Sequence, residues 1–203
     1  MSDNNRTSWA FDSDINQKDP VYPWAYWNEA FTKDECQSII DIGESSIEKV
    51  GPIKADTAKN NYNNIRESDI TWLFPSSNTE WVYNRISNII VDLNKQFFMF
   101  NLYGMIEGLQ FTKYTAPGGK YGKHIDKWSN GLIRKLSFTL QLSDPKDYEG
   151  GELRLYYDED PVKINKHQGY VCCFPSYTLH EVTPVTKGTR YSLVSWVTGK
   201  PFR

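Results

Sequence analysis

The feature that most constrains this chain is a series of short strand-like runs in its second half. From Leu109 onward, runs in which apolar and polar residues alternate recur between turns rich in Gly, Pro and Asp. They cover residues 109–115, 134–143, 151–157, 169–174, 180–185 and 190–197. Short strands at regular intervals predict a mainly β fold with flanking α-helices, built as a sandwich, a barrel or a jelly roll.

The half of the chain before these strands carries the signals of two helices. Thr32 and Glu35 have the spacing of a capping box, and Ser77 and Glu80 repeat it. The apolar stripe that follows the second box is wide enough to dock on a sheet. It consists of Trp81, Val82, Ile86, Ile89, Ile90 and Leu93.

Length and residue pattern together favour one globular domain. With 203 residues the chain is long enough to bury a sizeable core. We expect a flexible N-terminal arm over residues 1–20 and a single domain over 21–203. Within that domain, helical support over 30–100 precedes a β core over 105–200.

Charge and cysteine usage exclude several classes of protein. The net charge of −2 and the absence of a basic stripe argue against a nucleic-acid partner. No apolar run reaches the length of a bilayer, so that we expect no membrane span. Three cysteines, two of them adjacent, do not make a disulfide scaffold, which favours a cytoplasmic protein.

The run over residues 134–143 divides its side chains between two faces. The apolar face holds Leu136, Phe138, Leu140 and Leu142, and the polar face holds Ser137, Thr139 and Gln141. If the apolar face packs on the helices, the polar face lines the interior, and a polar interior implies a ligand cavity. The alternation fits equally well a half-exposed strand whose polar face meets water.

His124 and Asp126 form an H-x-D triplet, and His180 follows 56 residues after the first histidine (180 − 124). Side chains at positions i and i+2 of an extended segment point the same way, so that both can reach one ion. Two imidazoles and one carboxylate are the facial triad of non-haem Fe(II) oxygenases, which leaves one face of the metal open. Taken singly, the triplet also fits a solvated surface pair, and the later histidine fits an ordinary strand residue.

Arg190 lies ten residues beyond His180 (190 − 180) and shares a strand face with Ser192 and Trp196. A guanidinium that points into a barrel needs an anion, and a carboxylate can accept two parallel hydrogen bonds from it. The sequence therefore predicts a carboxylate ligand, such as one end of a dicarboxylic acid, near the metal.

The order of these motifs resembles that of the Fe(II)/2-oxoglutarate dioxygenases of the prolyl 4-hydroxylase type. The matching residues are Tyr114, His124-x-Asp126, Gly150-Gly151-Glu152-Leu153, His180 and Arg190-x-Ser192. The resemblance covers about residues 105–200 well and the N-terminal half loosely, through Arg66, Ser68 and Trp72. It implies a double-stranded β-helix, jelly-roll and cupin-like, with supporting N-terminal helices.

The resemblance also implies roles for individual residues. His124, Asp126 and His180 would ligate Fe(II), and Arg190 would bind the far carboxylate of 2-oxoglutarate. Further co-substrate contacts are implied for Tyr114, Thr139, Gln141 and Ser192. Substrate contacts are expected at Arg66, Trp72, Trp128 and Trp196, although Tyr114 and Trp72 fit core aromatic residues equally well.

By the same resemblance, the chain would hydroxylate prolyl residues of a peptide or protein. Molecular oxygen would be consumed, 2-oxoglutarate would be converted to succinate and CO2, and ascorbate often stimulates such enzymes. Animal collagen-type members carry lysine in place of Arg190, which suggests bacterial, viral or oxygen-sensing kin. The alternatives are an oxygenase for another side chain or a small molecule, and a cupin-like module that binds metal or dicarboxylate without turnover.

Overall fold

The computed structural model describes residues 21–50, 53–54, 65–126 and 131–201, and only the backbone at residues 49, 50, 53 and 54. The predicted arm over residues 1–20 and the predicted substrate contact Trp128 lie outside the described residues. Two α-helices lie within them, α1 (Lys33–Val50) and α2 (Glu80–Leu93), and a π-helical turn (Asn94–Phe98) continues the second. None of the helices in these ranges is long and apolar enough to cross a membrane.

The β-strands of the described residues are short, apart from the last. In chain order they are β1 (Ala25–Trp27), β2 (Ile53–Lys54), β3 (Arg66–Glu67), β4 (Asp69–Leu73), β5 (Leu102–Gly104), β6 (Leu109–Thr115), β7 (Lys120–His124), β8 (Arg134–Gln141), β9 (Tyr148–Gly150), β10 (Leu153–Tyr156), β11 (Val162–Lys163), β12 (Val171–Pro175), β13 (Leu179–Val182) and β14 (Val185–Gly199).

These strands form two antiparallel sheets. The larger sheet has the order β1-β12-β8-β14-β6-β4-β2, with β5 and β9 also paired to β14, and the smaller has the order β11-β10-β13-β7-β3. Side chains of both sheets line one cavity, because β8 and β14 contribute from the larger sheet and β7, β10 and β13 from the smaller. Two sheets facing each other around a cavity form a double-stranded β-helix, so that the predicted fold is confirmed.

Strand β8 lies near the centre of the larger sheet and separates the core from the cavity. Its apolar residues, among them Phe138 and Leu140, are fully buried in one cluster with Ile39 of α1 and Ile86 of α2. On the opposite face, Ser137 and Thr139 line the cavity. Of the two readings that the sequence left open for this strand, the structure therefore supports the cavity.

The predicted start of α1 is confirmed at atomic detail. The backbone N–H of Thr32 donates to Glu35 Oε2 over 2.8 Å, and the N–H of Glu35 donates to Thr32 Oγ1 over 3.2 Å. This reciprocal pair satisfies two of the N–H groups that a helix start leaves free. Glu35 also binds Arg85 of α2, with 2.6 Å between Oε2 and Nη1, which ties the two helices together.

The predicted capping box of α2 is wrong. The helix begins at Glu80 with Thr79 as the N-cap, and the side chain of Thr79 makes no capping hydrogen bond. Its hydroxyl instead accepts from the N–H of Ser76 over 2.9 Å and donates to the carbonyl oxygen of Phe74 over 2.7 Å. A threonine hydroxyl can close a turn in this way, and the hydroxyl of Thr79 makes these turn contacts instead of a capping hydrogen bond.

The boundaries of the last two strands also differ from the prediction. The strand expected over 180–185 ends at Val182, and the one expected to begin at Arg190 begins at Val185. Pro184 between them has no N–H to donate, so that the ladder stops there. Val185 then pairs with Gly150 of β9, which extends β14 beyond its apolar-alternating part.

Candidate metal and co-substrate site

The structure brings His124, Asp126 and His180 together, although 56 residues separate the two histidines (180 − 124). Their possible ligand atoms all lie within 4.8 Å of one another. His124 Nε2 is 3.7 Å from Asp126 Oδ1, and His180 Nε2 is 3.4 Å from Asp126 Oδ2. Two donors of one ion, each about 2.1 Å from it and at right angles, lie about 3 Å apart, so that this spacing suits a shared cation.

Backbone contacts orient both imidazoles. His124 Nδ1 donates to the carbonyl oxygen of Gly122 over 2.7 Å, and His180 Nδ1 donates to that of Thr178 over 2.9 Å. A proton on Nδ1 leaves the Nε2 lone pair of each ring free to bind a metal. The two rings are neighbours because His124 and His180 are direct cross-strand partners in β7 and β13.

Asp126 follows the end of β7 and is held by its surroundings. Its N–H donates to the carbonyl oxygen of Ser176 over 3.0 Å, and its Oδ2 accepts from the hydroxyl of Ser137 over 2.7 Å. Asp126 is almost completely buried. A buried carboxylate without a cation beside it is costly, because the protein interior solvates its charge poorly.

The electrostatics of the cluster favour the protonation states that bind metals. Burial, and then the neighbouring His180, lower the pKa of His124 below its usual value. Burial alone would raise the pKa of Asp126, but the two imidazoles and the hydrogen bond from Ser137 lower it. A neutral imidazole and an ionised carboxylate are the ligand forms that a divalent ion requires. The donor set therefore fits Fe(II).

Arg190 lies on β14 and is buried, with a relative exposure of 3%. Its Nη1 donates to Ser192 Oγ over 3.3 Å, whereas its Nε has no partner among the described residues. A buried guanidinium with free donor capacity is costly unless an anion binds it. The same cavity that contains the His–Asp–His cluster is lined by Arg190, and its space of about 470 Å³ includes an open mouth through which a small acid can enter.

The predicted co-substrate helpers divide between two places. Tyr114, Thr139 and Ser192 line the main cavity, and the guanidinium of Arg190 lies 5.3 Å from the centre of the Tyr114 ring. Gln141 lines a second cavity, which Arg190 also borders, and its Nε2 donates to the hydroxyl of Tyr148 over 3.0 Å.

The predicted substrate residues are also divided. Arg66 and Trp196 line the main cavity. Trp72 is not among the lining residues, and its ring centre lies 6.0 Å from that of Trp196. Arg134 covers Trp196, since the guanidinium carbon of Arg134 lies 3.8 Å from the centre of that ring.

Gln110 and Tyr121 are among the cavity residues that sequence reasoning missed. Gln110 on β6 accepts from Arg66 Nη2 over 2.7 Å, and it could have been found, because it shares the polar face of its strand with Tyr114. Tyr121 stacks on His124 with 3.5 Å between ring centres, and Arg66 covers the other side of that tyrosine at 4.6 Å. Side chains three residues apart point to opposite faces of a regular strand. Here an irregular register between β7 and β13 brings the two rings together.

Comparison with known proteins agrees with this geometry. Residues 109–198 match the family described as the 2OG-Fe(II) oxygenase superfamily. A PKHD-type hydroxylase of Prochlorococcus marinus is 42% identical over 99 residues, which are 48% of this chain and 44% of that protein. One from Gloeothece citriformis is 46% identical over 98 residues, 45% of this chain and 43% of the relative. The chain thus spans less than half the length of these relatives.

Solved structures share the fold over most of the chain. A Pseudomonas putida prolyl-4-hydroxylase has a TM-score of 0.70 at 22% identity and covers 89% of this chain and 94% of its own. A prolyl hydroxylase from Trichoplax adhaerens, in complex with a peptide fragment of hypoxia inducible factor, has a TM-score of 0.74 at 20% identity, covering 87% and 84%. The resemblance drawn from the motif order is confirmed, since residues 109–198 match the model of the 2OG-Fe(II) oxygenase superfamily.

Proposed function

We propose that this protein is an Fe(II)- and 2-oxoglutarate-dependent dioxygenase that hydroxylates prolyl residues in a peptide or protein. The observation that carries the proposal is the convergence of His124, Asp126 and His180 beside Arg190 in one cavity. A group of three metal ligands, or a buried arginine, fits many functions when it stands alone. The two together suit an acid that chelates the metal and carries a second carboxylate.

The residues of the chain then have distinct tasks. His124, Asp126 and His180 hold the ion on one side, and Arg190 with Ser192 binds the far carboxylate of 2-oxoglutarate. When bound, Fe(II) supplies the oxidative chemistry with oxygen, in which the co-substrate becomes succinate and CO2. The protein positions the reactants and keeps water away from them, since the apolar Leu153, Phe174 and Val182 line the same cavity.

A peptide substrate is supported by the open side of this cavity. Arg66 lies there, half-buried, and is fixed by Ser68 and Gln110 through hydrogen bonds of 2.8 and 2.7 Å. A fixed guanidinium can donate to the backbone carbonyls of an extended peptide. The peptide complex of the Trichoplax protein is consistent with this class of substrate. A cytoplasmic location is part of the proposal, supported by three buried thiols that form no disulfide; stimulation by ascorbate and the absence of a nucleic-acid partner stay predictions.

The test is succinate formation under air with Fe(II), 2-oxoglutarate and a library of proline-containing peptides, followed by mass spectrometry of the peptides. We expect succinate and the addition of one oxygen atom to a prolyl residue. His124→Ala should abolish both, while the matched control His167→Ala, at an exposed histidine, should retain both. Succinate without any peptide product would favour a different side chain or a small molecule, and metal binding without succinate would favour a non-catalytic cupin-like module.

A further inference from the structure

A second cavity is also bordered by Arg190. It is small, is open on one side, and shares Thr139, Leu153 and Arg190 with the main cavity. Its remaining polar lining includes Gln141 and Lys166. Two cationic side chains, one from β14 and one from the loop before β12, therefore border the same small space.

Lys166 is held in place by backbone and ring contacts. Its Nζ donates to the carbonyl oxygen of Gly150 over 2.9 Å and lies 4.1 Å from the centre of the Tyr148 ring. Neither the tyrosine ring nor the carbonyl oxygen carries a formal negative charge. These two contacts therefore leave the positive charge of the ammonium group uncompensated. Burial, and then the charge of Arg190, lower the pKa of Lys166, and Glu152 and Glu149 oppose this only in part.

Tyr148 and a glycine turn connect the two cations. The hydroxyl of Tyr148 accepts from Gln141, as described above, and burial raises its pKa while Arg190 lowers it. A Cβ added to Gly151 would lie 2.9 Å from Arg190 Cδ and 3.2 Å from Tyr148 Cε2, so that both side chains pack closely on this turn. Lys166, Tyr148 and Arg190 therefore form a packed series that leads from the surface to the main cavity.

Two like charges held near each other in a half-buried space repel each other, and the repulsion is stronger there than in water. An anion beside Arg190 would relieve it. The far carboxylate of the co-substrate is the anion that the proposed function already assigns to this position.

We propose that Lys166 provides a second positive charge at the far end of the co-substrate site and thereby selects 2-oxo acids with a second carboxylate. Arg190 makes the direct contact, and Lys166 acts as a positioning residue through Tyr148 and through its electrostatic field. The inference rests on the proposed function, because it assumes that a 2-oxo acid binds in the main cavity.

The experiment compares two ligands that differ only at the far end. The full chain is loaded with Mn(II), which does not turn over, and the Kd values of 2-oxoglutarate and 2-oxopentanoate are measured by calorimetry. The second ligand has the same 2-oxo acid head but a methyl group in place of the far carboxylate. The variants are Lys166→Met, which removes the charge, Lys166→Arg, which keeps it, and Lys187→Met, whose side chain is 76% exposed.

We expect Lys166→Met to raise the Kd of 2-oxoglutarate about fivefold to tenfold, the scale of one partly screened charge at short range, and to leave the Kd of 2-oxopentanoate within about twofold. Lys166→Arg should restore most of the preference, and Lys187→Met should change neither constant. Unchanged 2-oxopentanoate binding also demonstrates that the variant is folded.

Two results would overturn the inference and leave the proposed function intact. One is wild-type affinity of Lys166→Met for 2-oxoglutarate, and the other is equal weakening of both ligands, which would mean a structural role. If the wild-type protein loaded with Mn(II) binds neither ligand, the proposed function itself fails, and the inference fails with it.

Discussion

The two faces of strand β8 differ in almost every physical respect, although their residues alternate along one segment. On the helix side, Phe138 and Leu140 have no exposed surface and pack with α1 and α2. On the cavity side, Ser137 binds the carboxylate of Asp126, and Thr139 faces the space beside Arg190. One face stabilises the fold through burial, and the other keeps polar groups where a ligand can satisfy them.

The cavity side also holds buried polar atoms that have no hydrogen-bond partner among the described residues. Two of the five such side-chain atoms are Arg190 Nε and Trp196 Nε1, and both residues line the main cavity. Such atoms destabilise a protein without its ligand, because they lose their hydrogen bonds to water. We therefore expect substitutions on the helix side to change stability, and substitutions on the cavity side to change ligand affinity.

The largest stability effect is expected for Phe138→Ala. Removing a fully buried phenylalanine leaves a cavity and should lower the free energy of unfolding by about 3–5 kcal/mol, measured by urea denaturation. The neighbouring Thr139→Val, which keeps the shape of the side chain, should change that free energy by less than about 1 kcal/mol but weaken 2-oxoglutarate binding. Equal destabilisation by both variants would erase the contrast between the two faces.

Arg190→Gln should separate stability from affinity on the cavity side. Without the guanidinium, the Kd of 2-oxoglutarate for the Mn(II)-loaded protein should rise about 50-fold or more, as for other buried charge-assisted pairs. The free energy of unfolding without ligands should stay the same or increase, because a buried and incompletely paired charge is removed. A clear loss of stability with unchanged affinity would instead make Arg190 a structural residue.

The smallest effect on stability is expected in the helices that pack on β8, at the ion pair between Glu35 of α1 and Arg85 of α2. The hydrogen bond from Arg85 lowers the pKa of Glu35, although burial opposes it. Because the folded pKa lies below the unfolded one, the ionised pair stabilises the protein above the usual pKa of 4.5, and this stability is lost as pH falls through the lowered value.

Glu35→Gln should therefore cost about 0.5–1 kcal/mol at neutral pH, a small value because the pair is partly exposed. The difference between variant and wild type should vanish in acid, as followed by urea denaturation at decreasing pH. The Kd of 2-oxoglutarate should not change. A difference that persists below the lowered pKa would mean that the variant has lost packing or helix capping, not the charge.

Local patterns predicted the parts of the molecule that depend on local rules. The alternation over residues 134–143 gave both faces of β8, and the spacing of Thr32 and Glu35 gave the start of α1. The His, Asp and Arg motifs could be placed in one site because their spacing resembled a known family. Ser77 failed as a cap because the competing turn closed by Thr79 depends on a hydroxyl bond that no spacing rule reveals.

The rest of the site depends on contacts between distant segments. Tyr121 reaches His124 through an irregular strand register, and Arg66 meets Gln110 only because separate strands meet in the fold. Lys166 lies beside His167 in a segment that reads as a polar turn, and its nearness to Arg190 depends on the position of Tyr148. Sequence patterns carry little information on such pairings, since they depend on register and loop path.

The central claim is that His124, Asp126 and His180 hold one Fe(II) on which 2-oxoglutarate chelates. An anaerobic titration of the full chain with Fe(II) in the presence of 2-oxoglutarate tests this directly, because chelation of Fe(II) by a 2-oxo acid produces a visible charge-transfer absorption band. We expect the band to saturate at one equivalent of Fe(II) in the wild type and in His167→Ala, and to be lost in His180→Ala. A band of equal intensity and midpoint in His180→Ala would contradict the account.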